Sequence, residues 1–277
     1  MDPPQSFQST ASPSPLRYPG GKAWLIPAVV DWVNSQTFIA KAIIEPFGGG
    51  ANVGLFLLME EMVETLVLGE LDHKLAAFWE TVLQDGPWFA DEIIGFRPSK
   101  RNLMRVLRGQ PTTKRQLAFQ TLLRNRTSRG GIIANGGGLL NRGEQEKGAF
   151  SRWYPETLAG RILRIHSYRR RITFAPSSAF TLIRNRRLGQ RNLFFIDPPY
   201  SVTNESAGRR LYDHHKINHE QLFAAVSRLR GAALITYENS HKISRLAREY
   251  EFSYVRIPMR NSHHENMKEL LISKSPT

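Results

Sequence analysis

Residues 41–71, KAIIEPFGGGANVGLFLLMEEMVETLVLGEL, hold the pattern from which the fold follows. KAIIEPF (41–47) is a short apolar run closed by a proline, and it reads as a buried strand. GGGA (48–51) is a tight loop. NVGLFLLMEEMV (52–63) has the pattern of a helix, with Asn52 placed to act as its N-cap, and TLVLGEL (65–71) is a second strand. HKLAAFWETVL (73–83) continues as another helix. Strand, glycine loop, helix and strand make one βαβ unit, which implies a parallel sheet. The glycines let backbone approach a ligand closely at the mouth of such a sheet, and Glu70, at the end of the second strand, is placed to accept hydrogen bonds from ribose hydroxyls. The dinucleotide fingerprint G-x-G-x-x-G is missing. The nearest frame is G-x-A-x-x-G from Gly49, so a nicotinamide dehydrogenase is poorly supported.

Downstream, the strand rhythm stops between Gly86 and Arg169. NLMRVLRG (102–109), KRQLAFQTLLRN (114–125) and PETLAGRILRI (155–165) read as amphipathic helices, with a glycine-rich loop SRGGIIANGGGLLNRG (128–143) between the last two. Strands resume with RITFAP (171–176), NLFFID (192–197), AALITYEN (232–239), SYVRIPM (253–259) and KELLISK (268–274). NHEQLFAAVSRLRG (218–231) and SHKISRLAREY (240–250) are the helices between them. The final two strands have a short link and no helix, which predicts an antiparallel edge hairpin. The expected organisation is a disordered tail over 1–15, a sheet domain over 16–85 and 166–277, and a mainly helical insertion over 86–165.

The charge follows the same division. Residues 1–96 contain 4 Lys/Arg against 12 Asp/Glu, residues 97–191 contain 22 against 3, and residues 192–277 contain 12 against 9. The net of +14 for the chain therefore belongs to its middle segment. Dense arginine on one segment is the electrostatic footprint of a phosphate-backbone partner. The chain contains no cysteine, which excludes disulfides, thiolate zinc sites and thiol nucleophiles. No apolar run approaches membrane-spanning length, and no secretory signal is evident, so the expected location is cytoplasmic.

NLFFIDPPYSV (192–202) ends a buried-looking strand with an acid, two prolines and an aromatic. Proline fixes φ and donates no hydrogen bond, so Pro198 and Pro199 make a stiff segment whose carbonyls are free to accept. With the Asp197 carboxylate and the Tyr200 ring beside them, they form an acceptor cradle suited to an amino-bearing planar ring. Asp213, His214, His215 and His219 offer a weak metal-site alternative. Their place in a loop favours closure over a substrate, with Tyr212 packing near the pocket.

Together these motifs resemble the DNA adenine-N6 methyltransferases of the Dam-like (alpha-group, D12) class. PLRYPGGK (15–22) is similar to that family's N-terminal element, EPFGGGANV to its glycine motif, LGELDHKL to its acidic ribose motif and NLFFIDPPY to its catalytic motif. LLRNRTSRGG is similar to an element of the family's recognition domain, and the match touches most of residues 15–277. SSAFTLI (177–183) departs from the pattern by lacking an acid, leaving Phe180 as the residue expected to stack on a cofactor adenine.

The resemblance implies an α/β, Rossmann-like methyltransferase sheet, mostly parallel, with an inserted target-recognition region. It implies S-adenosylmethionine as cofactor and no metal. It implies catalysis by Asp197, Pro198, Pro199 and Tyr200, with Tyr18, Gly21, Lys22, Glu45, Phe47, Gly48, Gly49, Gly50, Glu70, Phe180 and Asp197 around the cofactor. Arg124, Asn125, Arg126, Thr127, Ser128, Arg129 and Tyr212 would contact double-stranded DNA, placing the protein at the nucleoid. A homodimer would suit a palindromic target. The competing readings are methylation of cytosine N4 or RNA adenine, and a catalytically silent DNA-binding protein on the same scaffold.

Overall fold

The strands are β1 (Ala42–Glu45), β2 (Thr65–Gly69), β3 (Ile172–Ala175), β4 (Asn192–Ile196), β5 (Ala232–Glu238), β6 (Ser253–Arg260) and β7 (Asn266–Lys274). They come from a computed structural model that describes residues 12–17, 22–134, 138–141, 148–185, 189–199, 217–260 and 266–276. All seven join one sheet in the order β3-β2-β1-β4-β5-β7-β6. β1 to β5 pair in parallel, while β7 runs antiparallel to both β5 and β6. This is the expected Rossmann-like, mostly parallel α/β sheet with an antiparallel C-terminal edge.

Burial explains the order. β1 and β4 are apolar on both faces and buried accordingly, as parallel strands covered by helices must be. Leu270, Leu271 and Ile272 of β7 are also buried, so β7 takes the inner place beside β5. β6 exposes Val255 and carries Pro258, which suits an edge strand. Chain direction across the sheet reverses between the adjacent strands β1 and β4. A crevice opens at their carboxyl ends, and that crevice positions the site.

Helices α1 (Ile26–Asn34), α2 (Asn52–Met59), α3 (His73–Gly95), α4 (Lys100–Arg108), α5 (Lys114–Thr127) and α6 (Pro155–Ser167) surround one continuous apolar cluster against the sheet. α7 (Ala179–Ile183), α8 (His219–Ser227) and α9 (His241–Glu249) cover the second cluster. Leu103, Phe119, Leu122, Trp153 and Ile162, from the helical insertion, share their core with Ile43, Leu66 and Leu193 of the sheet. The insertion is thereby fused to the sheet side through α3. That helix bends at the non-helical Asp85 (φ −130°, ψ 33°), and Pro87 sits in the first turn after the bend, where its missing N–H costs nothing. Gly86 allows α6 to come close, because a Cβ there would lie 2.6 Å from His166 Cβ.

Two sequence expectations need correction. Asn52 does not cap α2. The N-cap is Ala51, in the left-handed region at φ 50°, and Asn52 is the first helical residue. Residues 12–15 also do not belong to a disordered tail, since Ser14 is fully buried and its carbonyl accepts from Arg161 at 3.1 Å. Proline and serine composition signals disorder, but here the segment's carbonyls are acceptors for arginines far along the chain.

Candidate active site

The glycine loop crosses the ends of β1 and β2 at very close range. The Gly48 N–H donates to the Gly69 carbonyl at 2.7 Å, and a Cβ on Gly48 would lie 2.9 Å from that same oxygen. Gly49 has φ 43°, which a glycine adopts without penalty. Its carbonyl accepts from the Trp79 indole at 3.0 Å, and its N–H donates to Glu70 Oε2 at 3.1 Å. Glu70 Oε1 accepts from the N–H groups of Leu71 and Asp72 at 2.8 and 3.0 Å. Burial nevertheless pushes the Glu70 carboxyl up to about 7, against the pull of these donors.

Glu45 is the last residue of β1. It is 3% exposed, and its Oε1 accepts from the Gly54 N–H in the first turn of α2. Ala51 offers no side-chain cap, so this interior carboxyl satisfies a helix donor that would otherwise be orphaned. Burial raises Glu45 to about 8, with a further upward push from Asp197. The geometry gives Glu45 the role of a cap for α2.

Asp197 follows the last residue of β4, with its side chain one-quarter exposed at the crevice. Its Oδ1 accepts from Thr236 Oγ1 at 2.6 Å and lies 3.2 Å from the Lys22 ammonium. Lys22 is 4% exposed and also lies 3.4 Å from Glu269 Oε1 on β7. A lysine from the N-terminal loop thus reaches beneath the sheet's end and joins two carboxylates. Deeper in the same strand end, Tyr237 OH is 2.8 Å from His219 Nδ1. Burial, and then the Asp197 charge, push the Tyr237 phenol upward. His219 is therefore engaged in the interior, and burial lowers its pKa. Among the described residues, no group of three or more His, Cys, Asp or Glu is arranged to hold a metal.

Phe180 and Phe47 are both half-buried and pack against the second core cluster with Val67 and Ala175, at the β2–β3 side of the crevice. Arg184 lies over the Phe180 ring at 5.3 Å. Gly50 is buried in the loop, and Pro198 and Pro199 follow Asp197 directly. Tyr18, Gly21, Tyr200 and Tyr212 lie outside the described residues, as do Asp213, His214 and His215.

The recognition element departs most from expectation. Asn125, Arg126, Thr127 and Ser128 are 0%, 6%, 0% and 0% exposed, so direct DNA contact by these four is replaced by internal bonding. Arg126 donates to the Pro15 carbonyl, with Nε at 2.8 Å. Thr127 Oγ1 donates to the Leu123 carbonyl at 2.8 Å and Ser128 Oγ to the Ile132 carbonyl at 2.6 Å. Burial is the first cause that lowers Arg126 to about 9, followed by the charges of Arg161, Arg17 and Arg152. A cavity of about 270 Å³ beside it is lined by Arg17, Arg126 and Arg161 together with Asn52. Arg124 is half-buried and Arg129 is exposed, so the solvent-facing cations of this element are these two. A larger set of exposed cations, Lys100, Arg101, Arg105 and Arg108, lies on α4.

Sequence reasoning missed Thr236 and Glu269. Thr236 interrupts the buried apolar run of β5, and that interruption was the available signal; β7 also carries Asn266, Lys268, Ser273 and Lys274, so Glu269 gave none.

No protein-family model matches this chain, and no curated protein matches it in sequence. Solved structures with a similar fold include M. capricolum TrmK in complex with S-adenosylhomocysteine, at 9% identity over 90% of this chain and 68% of that one, with a TM-score of 0.38. A putative RNA methyltransferase from Pyrococcus horikoshii has 8% identity over 95% of this chain and 86% of its own, with a TM-score of 0.41. A putative class I S-adenosylmethionine-dependent methyltransferase from Listeria monocytogenes has 10% identity over 91% and 60%, with a TM-score of 0.39. Similarity at this level says nothing about substrate or site residues.

Proposed function

We propose that this chain transfers a methyl group from S-adenosylmethionine to the N6 amine of adenine in double-stranded DNA. One observation carries the reading. An aspartate followed by two prolines stands at the carboxyl end of β4, next to the glycine loop of β1, with one oxygen held by Thr236 and Lys22. The β1 loop and β2 end fit the proposed cofactor. Gly48 lets the β1 loop pass directly against the Gly69 carbonyl at the end of β2, Glu70 offers a carboxylate for ribose hydroxyls, and Phe47 and Phe180 offer apolar walls. By resemblance, Tyr18 and Gly21 complete this side.

The cofactor supplies a sulfonium methyl that is already electrophilic. The chain's task is to make a poor nucleophile attack it. The adenine N6 lone pair is delocalised into the ring. In this reading the Asp197 carboxylate and the Pro198 carbonyl accept the two N6 protons and draw the nitrogen toward pyramidal geometry. The N–C bond then forms as the S–C bond breaks, and the surplus N6 proton passes to Asp197 or to water. Tyr200 stacks on the base. Extruding the base from the duplex costs a few kcal/mol, offset by this stacking and by phosphate contacts from exposed arginines.

The test is methyl transfer from labelled S-adenosylmethionine to unmethylated duplex DNA, followed by nucleoside analysis, with Asp197→Ala alongside. Label in N6-methyladenine with the wild type and none with the variant supports the reading. Label in 4-methylcytosine or in RNA alone replaces the substrate. DNA binding without transfer replaces the activity.

A further inference from the structure

We propose that Glu269 and Thr236 are positioning residues that set the charge and orientation of the Asp197 carboxylate, Glu269 acting through Lys22 and Thr236 directly. The proposal rests on the methyl-transfer reading for its consequence, but its physical content is a coupling between four side chains.

Geometry carries it. Thr236 Oγ1 donates to Asp197 Oδ1 at 2.6 Å, and Lys22 Nζ lies 3.2 Å from the same oxygen. Glu269 Oε1, 3.4 Å from Nζ, competes for that ammonium. Lys22, Thr236 and Glu269 are 4%, 1% and 5% exposed, so water screens these interactions poorly. Each comes from a different element: the turn before α1, β5 and β7. Other groups facing Asp197 are Glu45 from β1 and Tyr237 from β5. Glu269 stands in register opposite Glu238 on β5 and Ile257 on β6.

The arrangement has a chemical use. A lysine paired with Asp197 alone would neutralise the carboxylate and draw its electron density away from an incoming amine. With Glu269 sharing that lysine, the trio of one cation and two anions keeps a net negative charge at the crevice. Methyl transfer moves positive charge from the cofactor onto N6, so this field favours the transition state over the ground state. The Thr236 hydroxyl fixes one oxygen and thereby the plane of the carboxylate.

The two residues therefore act with opposite sign on proton affinity. Removing the Glu269 charge leaves Lys22 to Asp197, favours the ionised carboxyl and lowers its titration midpoint. Removing the Thr236 donor takes a hydrogen bond from the ionised form and raises it.

The experiment is titration of the Asp197 carboxyl by 13C NMR in full-length wild type, Glu269→Gln and Thr236→Val, with the resonance assigned by Asp197→Asn. Single-turnover methyl transfer is measured across pH on the same proteins. Relative to wild type, we expect the midpoint to fall in Glu269→Gln and to rise in Thr236→Val. The acidic limb of the rate should move in the same directions. Transfer should slow about tenfold in each variant, with KM for S-adenosylmethionine within about twofold. Unchanged midpoints, shifts of the same sign in both variants, or an effect confined to KM would overturn the proposal. Thr236→Val decides alone if Glu269→Gln does not fold. A wild type that transfers no methyl group sinks the functional reading, while the midpoints still decide the coupling.

Discussion

Asn125 reads both backbone groups of Arg17. Its Oδ1 accepts the Arg17 N–H at 2.8 Å and its Nδ2 donates to the Arg17 carbonyl at 2.6 Å. The same Nδ2 donates to the Gly131 carbonyl at 2.7 Å. One fully buried amide thus ties the N-terminal segment to the end of α5 and to the loop after it. Gly131 must be a glycine there, because it has φ 78° and an added Cβ would lie 2.1 Å from the Arg17 carbonyl oxygen.

Asn125→Ala would leave three backbone groups without this partner. It should lower unfolding free energy by about 2–4 kcal/mol, the cost of buried groups losing their bonds. Urea denaturation checks this. A loss below about 0.5 kcal/mol, the range of surface changes, would contradict the clasp.

Lys22→Met keeps the length of the side chain and removes its charge. Asp197 Oδ1 then loses a contact that holds it, Asp197 and Glu269 repel each other out of place, and methyl transfer should fall by about a hundredfold or more. Stability should drop by about 2–4 kcal/mol at neutral pH, with the deficit shrinking on acidification as the carboxylates are neutralised. Thermal unfolding at several pH values tests this, and a deficit that grows in acid would refute it.

Gly48→Ala would place a methyl group against the Gly69 carbonyl at 2.9 Å, too close without movement of the loop. The loop must shift, and binding of S-adenosylmethionine should weaken about tenfold or more, by isothermal calorimetry. Gly95→Ala is the control, because a Cβ there meets nothing within 4 Å.

The Glu45 carboxyl is raised to about 8 by burial, above its unfolded value of 4.5. A raised acid contributes its full stability below the unfolded value and loses it as pH climbs through the folded value. Glu45→Gln keeps an acceptor for the Gly54 N–H but cannot ionise. The variant should therefore gain stability relative to wild type between about pH 4.5 and pH 8, by up to about 5 kcal/mol in all. Below pH 4.5 the difference should be flat. A difference that is flat throughout would show that Glu45 does not resist ionisation.

Arg101, Arg105 and Arg108 are exposed on α4. Changing all three to Gln should weaken DNA binding for any sequence alike. The slope of log K against log salt should become shallower by about 0.9 for each phosphate that an arginine no longer neutralises. An unchanged slope would move the DNA to another face.

The parallel sheet, the antiparallel hairpin at its edge, the glycine loop and the place of Asp197 at the end of β4 were all legible in the order of residues alone. These features are written locally, because apolar runs set strands, glycine and proline punctuate them, and a short link allows no crossover. The same local reading located the positive charge. It did not reveal which cations face solvent. Asn125, Arg126, Thr127 and Ser128 look like a polar recognition element, yet they are an internal anchor whose partners lie at Pro15 and Arg17 or in neighbouring turns. Glu45 caps a helix it does not belong to, and Asn52 leaves that task undone. It took the folded arrangement to bring Lys22 to Asp197 and Glu269, with Thr236 on the same oxygen as Lys22. A charged side chain's own neighbours in sequence say little about whether it is buried or with whom it pairs. That depends on which strands come to lie side by side, and here the antiparallel placement of β7 beside β5 brings its first half to the carboxyl ends of β4 and β5, where Lys22 meets them.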